Sequence, residues 1–236
     1  MNKDDAINCF WEFHTFLVNK SPVAEWREIV KSLDKLEYFS CPASSKFHLC
    51  IPGGLLIHSV MVAKTALQIA ACRYPEIPEW KIIVAGLLHD VGKCGILNAK
   101  GELLRRYEPA GIASGSGIGC HQTYRKNMFR PYFSVRDLSA IFVASAMQDP
   151  DIIQAVLCHD GAYIEANRDY DHKLEPLTLL LTVADTLQAQ GFENRGSARW
   201  YLPIPEERWR EQAGPGQGGA EQAAGGEKGP EAQKTA

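Results

Sequence analysis

Apolar residues recur along most of this chain at intervals of three or four positions, the period of an α-helix with one buried face. The first such stripe includes Phe10 and Leu17 and follows Asp4, a residue type that caps helix N-termini. A second stripe follows Pro22, which suits the first turn of a helix. Five further helices are predicted at 55–72, 79–90, 136–147, 151–157 and 177–190.

The segments between these predicted helices have the composition of loops. Residues 40–54 contain two prolines and a Gly-Gly pair, and residues 92–119 are glycine-rich from position 111 onward. The sequence has no internal repeat, and it has no stretch in which apolar and polar residues alternate as in a half-buried strand. The pattern therefore predicts an all-α protein.

Composition changes sharply near the C-terminus. From about Glu211 the chain consists mainly of Gly, Ala, Gln, Glu, Lys and Pro, and no apolar residue larger than alanine follows Trp209. Such a segment cannot bury enough surface to offset the entropy lost on ordering. We predict N-terminal helices packed on the core at 1–40, the main domain at 41–210 and a disordered low-complexity tail at 211–236, with a docking tail as the alternative.

Truncation after Arg210 is expected to leave the melting temperature nearly unchanged, because the removed residues contribute nothing to a core. Thermal unfolding of the full-length and truncated proteins checks this. A decrease of more than a few degrees would show that the tail packs against the domain.

Overall composition limits the function classes. The net charge is −3 and the isoelectric point is about 6.2, which excludes a general basic field for non-specific nucleic-acid binding. The seven cysteines form no CxxC pair, which argues against a disulfide framework and against a cysteine zinc site. We find no stretch long enough to cross a membrane and no signal pattern at the N-terminus. These features predict a reduced cytoplasmic protein with no membrane association.

The most informative chemistry lies at the end of the apolar run 82–88, which is followed directly by His89 and Asp90. Burying a carboxylate and an imidazole is costly, and a divalent cation is a common compensation. Adjacent residues inside a helix point about 100° apart. Gly92 is expected to end the helix here, so both side chains can turn toward one ion.

Two further residues lie on predicted apolar helices. Asp185 follows a nearly continuous apolar run, where an ionised carboxylate needs a partner. Its mid-helix position excludes a capping role, and either an arginine or a metal ion remains as the partner. His58 lies on the 55–72 helix, where a lone histidine is often a simple core residue. Taken together, two histidines and two carboxylates suit Mn, Fe, Co, Ni or Zn.

This order of residues resembles the HD-domain metal-dependent phosphohydrolase superfamily over about 41–190. The resemblance rests on His58, then His89-Asp90-Val91-Gly92-Lys93, then Asp185. The stretches 42–48 and 53–58 are similar to HD domains of bacterial 3′-to-5′ exoribonucleases and of conjugative relaxases. The acidic pair that follows HD in guanosine-tetraphosphate hydrolases is missing at 91–94. The resemblance implies an HD-domain helical bundle with a central metal site and hydrolysis of phosphate esters.

The chemistry of the residues near these ligands suggests further roles. Lys93 would hold a phosphate oxygen or neutralise charge in the transition state, and Asp160 or His159 would act as general base. Family members with two metals carry extra ligands between HD and the last aspartate. The implied cofactor is one or two divalent ions from Mn, Fe, Ni, Co, Mg and Zn, with the ligands His58, His89, Asp90, His121, His159 and Asp185.

The sequence therefore predicts a metal-dependent phosphohydrolase, either a phosphomonoesterase or a phosphodiesterase. A phosphorylated small molecule, such as a nucleotide, or a short oligonucleotide suits a small acidic chain best as its substrate. Two alternatives remain open: a module that retains a metal to bind a ligand or partner without turnover, and a relaxase-like or nuclease domain acting on nucleic acid. The sequence predicts no oligomeric state.

Overall fold

The computed structural model describes residues 1–45, 49–109, 124–127, 133–161, 164–170 and 173–193. The chain divides into a compact unit, Met1–Ile204, and a C-terminal unit, Pro205–Ala236. The predicted tail from residue 211 lies outside the described residues, as does His121.

Helices dominate the described residues, and the predicted all-α class is confirmed. The helices are α1 (Lys3–Lys20), α2 (Trp26–Lys35), α3 (Gly54–Arg73), α4 (Glu79–Leu88), α5 (Val135–Ala146), α6 (Pro150–Cys158) and α7 (Pro176–Thr186). Short 3₁₀ helices span Val91–Lys93 and Glu165–Tyr170, and a π-helix, Leu187–Glu193, continues α7.

The described residues include four short strands, and the first three lie in the region 92–119, which is predicted to be mostly loop. They are β1 (Gly95–Leu97), β2 (Leu103–Arg105), β3 (Tyr107–Pro109) and β4 (Tyr124–Lys126). β1 pairs with β2 and β3 pairs with β4, both antiparallel. The sequence shows no alternating pattern for these strands, because three residues are too few for such a pattern to be recognised.

The N-terminal helices begin at other residues than the sequence suggested. Asn2, rather than Asp4, caps α1: the Asn2 side chain accepts from the backbone amide of Asp5 at 2.8 Å, and the Asp5 carboxylate accepts from the backbone amide of Asn2. α2 begins at Trp26, after a turn that contains Pro22. Both helices precede a loop that leads into α3.

α3 is the central helix of the bundle, and it packs against α1, α4 and α7. Its residues from Gly54 to Val60 are all buried. Among the described residues it is also the one helix long and apolar enough to cross a membrane, by length and composition alone. This corrects the expectation that no such stretch exists. Within the protein, 67% of its apolar window is buried, and that burial accounts for the composition.

α4 and α6 lie side by side and run in the same direction. At their first turns, the Lys81 ammonium of α4 lies 2.9 Å from a carboxylate oxygen of Asp149 and 2.5 Å from one of Asp151. Asp149 also caps α6 by accepting from two of its first backbone amides. At their last turns, the rings of His89 and His159 lie 4.9 Å apart. The ion-paired cluster and the two histidines thus mark opposite ends of this helix pair.

Candidate metal centre

The end of α4 turns two neighbouring residues toward the same side. The helix ends at Leu88, His89 is its C-cap residue, and Asp90 has left helical conformation with φ −114°. Both side chains are buried, with 0% of His89 and 5% of Asp90 exposed. The backbone amide of Gly92 then donates to the Ser139 hydroxyl at 2.9 Å, which fixes the following turn against α5. The sequence predicts a helix end here, and the helix ends just before His89 and Asp90, so that both side chains can face one ion.

His58 faces this pair from α3, and it is 1% exposed. Its Nε2 atom lies 3.2 Å from Nε2 of His89 and 3.5 Å from Oδ2 of Asp90. Nε2 of His89 lies 3.3 Å from the same Asp90 oxygen. These three ligand atoms lie within 4.8 Å of one another, which is close enough for a single ion to contact all of them.

Asp185 completes this group from α7, where its side chain is 18% exposed. Its Oδ1 atom lies 3.1 Å from Nε2 of His58 and 3.8 Å from Nε2 of His89. The partners of Asp185 are therefore the histidines of the cluster, which supports a metal ion over an arginine as the reason for this carboxylate.

His159 reaches the cluster from the C-terminal end of α6, and it is 3% exposed. Its Nε2 atom lies 3.8 Å from Oδ1 of Asp90, and it forms a second convergent group with His89 and Asp185. Asp90 thus faces His159 with one oxygen and His58 with the other. Asp160, 38% exposed, lies at the edge, with Oδ1 3.8 Å from Nε2 of His159.

Two backbone carbonyls orient the site histidines. Nδ1 of His89 lies 2.9 Å from the carbonyl of Gly86, and Nδ1 of His159 lies 2.7 Å from the carbonyl of Val156. A carbonyl only accepts hydrogen bonds, so each Nδ1 carries the proton. In the neutral ring, the lone pair is then on Nε2, the atom that points into the cluster.

Lys93 brings a positive charge to the same place, because its ammonium contacts Oδ2 of Asp90. Burial alone would raise the pKa of Asp90, but the charge of Lys93 and the interactions with His89 and His58 together lower it well below its usual range. Burial lowers the pKa of Lys93, but the charge of Asp90, its hydrogen bond to the ammonium and the nearby Tyr107 and Asp185 together raise it by more, so that the net shift is upward. For Asp185, burial raises the pKa, but the hydrogen bond with His58 and the electrostatic interactions with the site histidines together lower it by more. Asp90, Asp185 and Lys93 are all charged near neutral pH.

The residues present fit a divalent ion. Three imidazole nitrogens and carboxylate oxygens from two aspartates converge in a buried position, a donor set that suits a borderline metal. The helices α3, α4, α6 and α7 each present part of this set at the centre of the bundle. This combination defines a metal-binding helical domain.

Comparison with known proteins gives the family. The HD domain family matches residues 55–190, which is more than half of the chain and includes every clustered residue named above. The chain belongs to the HD domain family, whose members are generally metal-dependent phosphohydrolases. No curated protein and no solved structure matches it.

The close approach of α3 and α4 sets the distance between His58 and His89. A Cβ atom added to Gly86 would lie 2.6 Å from the Cα atom of Ala63, so only glycine allows this separation. Gly86→Ala is expected to force the helices apart, to destabilise the protein by about 1–3 kcal/mol and to lower both the melting temperature, by roughly 2–12 °C, and the metal content. Calorimetry and metal analysis of the purified variant check this.

Gly101→Ala is the matched control for Gly86→Ala. Gly101 has φ +78°, and an added Cβ would have nothing within 4 Å, so the substitution introduces backbone strain without a packing clash. It is expected to lower the melting temperature and to leave the metal content at the wild-type value. Full metal content in Gly86→Ala would show that the helix separation does not control the site.

Proposed function

We propose that this protein is a metal-dependent phosphohydrolase that hydrolyses a phosphate ester of a nucleotide or a short oligonucleotide. The observation that carries the proposal is the convergence of three histidines and two aspartates in one buried cluster, with a lysine ammonium beside them. The ligands would be His58, His89, Asp90, His159 and Asp185. A divalent ion bound there supplies Lewis acidity and an activated water.

The remaining residues act on the phosphate and on protons. Lys93 is charged, is held by Asp90 and is 14% exposed in its side chain, so it can offer N–H donors to a phosphate oxygen next to the cluster. As negative charge grows on the phosphoryl oxygens, a fixed ammonium at this place stabilises the transition state. Asp160 is the more exposed carboxylate at the edge of the cluster, where it can accept a proton from the attacking water.

The charge of the chain supports a small substrate. A net charge of −3 gives the chain no general basic field to attract a long nucleic acid, whereas one phosphate needs only local positive charge. A nucleotide or a short oligonucleotide meets that condition. Hydrolysis of matched monoester and diester substrates distinguishes the two kinds of ester.

The test is hydrolysis of two synthetic esters, bis-para-nitrophenyl phosphate and para-nitrophenyl phosphate, with Mn, Co, Ni, Zn or Mg added in turn. Release of nitrophenol from either ester by the wild-type protein is expected, and Asp185→Asn is expected to abolish it. Asp34→Asn, an exposed carboxylate on α2, is the matched control and should retain full turnover. Metal in the purified protein without hydrolysis of either ester, or of a nucleotide panel, would instead identify a binding module.

A further inference from the structure

The turn that carries His159 and Asp160 is held by a residue outside the cluster. Backbone carbonyls at the C-terminal end of a helix have no partner within the helix. At the end of α6, the side-chain amide of Asn167 donates to the carbonyl of Gly161 at 3.0 Å and reaches that of Cys158 at 3.5 Å. One amide group therefore joins the two ends of the turn Cys158–Gly161.

Asn167 is itself fixed from the other side. It is 3% exposed, and its Oδ1 atom accepts from Arg136, in the first turn of α5, at 2.6 Å. Across the turn, Gly161 has φ +60° and faces Thr182 of α7, which an added Cβ would approach to 2.9 Å. The turn is thus held between α5 and α7, and the amide of Asn167 provides its hydrogen-bonded contact to α5.

We propose that Asn167 is a positioning residue for the metal centre: its amide sets the turn Cys158–Gly161 and thereby places His159 against Asp90. The inference rests on the proposed function, because it takes His159 as a metal ligand. The 3.8 Å between Nε2 of His159 and Oδ1 of Asp90 depends on this turn, since the other hydrogen bond of the imidazole goes to α6 itself. Outer partners that orient ligands typically change metal affinity by about 10–100-fold.

Asn167→Asp is the sharpest substitution. It retains the size of the side chain and an oxygen that accepts from Arg136, but it replaces the NH₂ donor with an oxygen that faces two carbonyls. Arg136→Met is the second variant, because it leaves the donating amide in place and removes only its anchor. If Asn167→Asp fails to fold, Arg136→Met still tests the inference, with a smaller expected loss.

The experiment measures metal affinity, using the full chain freed of metal and titrated with Mn²⁺ or Co²⁺ against a chromophoric chelator. The variants are Asn167→Asp, Arg136→Met, His159→Ala and each of the first two combined with His159→Ala. We expect Asn167→Asp to weaken the affinity that depends on His159 by about 10-fold and Arg136→Met by about 3-fold. Neither should weaken it further once His159 is absent, because a positioning residue acts through the residue it positions.

Each outcome either supports or overturns the inference that Asn167 positions His159. Losses that disappear in the His159→Ala background support the inference, and a changed Co²⁺ absorption spectrum in Asn167→Asp supports it independently. Wild-type affinity in both single variants, or losses that simply add to that of His159→Ala, overturn it. Unchanged affinity in His159→Ala overturns the ligand assignment of His159 as well. Absence of phosphate-ester hydrolysis in a protein that shows the coupled losses contradicts only the proposed function.

Discussion

Replacing Asp90 with asparagine is expected to abolish tight metal binding and to lower phosphate-ester hydrolysis by roughly 10³-fold or more. Asp90 is the side chain that faces both halves of the cluster. Its Oδ2 atom lies within 3.5 Å of Nε2 of His58 and of His89, and its Oδ1 atom lies 3.8 Å from Nε2 of His159. An amide can offer only one neutral oxygen to an ion. Metal analysis and turnover of the purified variant measure both effects.

The same substitution is expected to destabilise the fold. Lys93 is largely buried, with 14% of its side chain exposed, and it is paired with the buried Asp90. Removing one member of a buried ion pair typically costs about 3–5 kcal/mol. For a chain of this size the melting temperature should fall by roughly 6–20 °C. A control variant combines Asp90→Asn with Lys93→Met, so that no charge is left without a partner. It should recover most of the melting temperature while remaining metal-free and inactive.

Two results would contradict this prediction. Wild-type stability in Asp90→Asn would show that Lys93 finds another partner at no cost. A double variant that is no more stable than Asp90→Asn would show that the buried ammonium is not the source of the loss. Wild-type metal content in either variant would mean that the ion binds elsewhere.

Replacing His58 and His159 separately is expected to have different effects on the number of bound ions. His58→Ala removes the nitrogen nearest to His89 and Asp185, at 3.2 and 3.1 Å, and should release the ion bound between them. Hydrolysis should then be lost. His159→Ala should instead lower the metal content toward one ion per chain and strongly reduce activity, because His159 lies on the other side of Asp90.

Elemental analysis per chain and hydrolysis assays of the wild-type protein and both variants check this prediction. Gln188→Ala can serve as a control for loss of a buried polar contact near α7, since Gln188 donates to Thr65 rather than to the cluster. A wild-type protein that never holds more than one ion, together with full activity in His159→Ala, would exclude a second ion. His159 would then be an ordinary residue at a helix end.

The sequence was most informative where periodicity extended over several turns. The predicted helix 55–72 lies within α3. The predicted helix 79–90 runs two residues past the end of α4, because His89 and Asp90 continue the chain in a turn. The predicted cap of α1, Asp4, lies two positions after the actual cap, Asn2. Asp and Asn both favour the N-cap position, so only the place where the first turn forms distinguishes them. The exact ends of helices depend on tertiary packing, which a local sequence pattern does not reveal.

The cluster was predictable in part for the same reason. A charged residue in an apolar helix is conspicuous, which is why Asp185 and the His89-Asp90 pair could be found without coordinates. Asn167 could not be found in this way. It lies in a short 3₁₀ helix, among polar residues, and its importance comes from carbonyls at the end of another helix. No local pattern marks such a contact.

The paired ends of α4 and α6 restrict how this protein can evolve. The ion pairs of Lys81 with Asp149 and Asp151 hold the two helices together at their first turns. His89 and His159 lie at the last turns of the same helices. Each added residue would rotate a helix end by about 100° and advance it by about 1.5 Å. A one-residue insertion after Lys81 would therefore carry His89 past its partners. Insertions and deletions among descendants of this chain should accumulate in the connecting segments, while the length of these two helices stays constant.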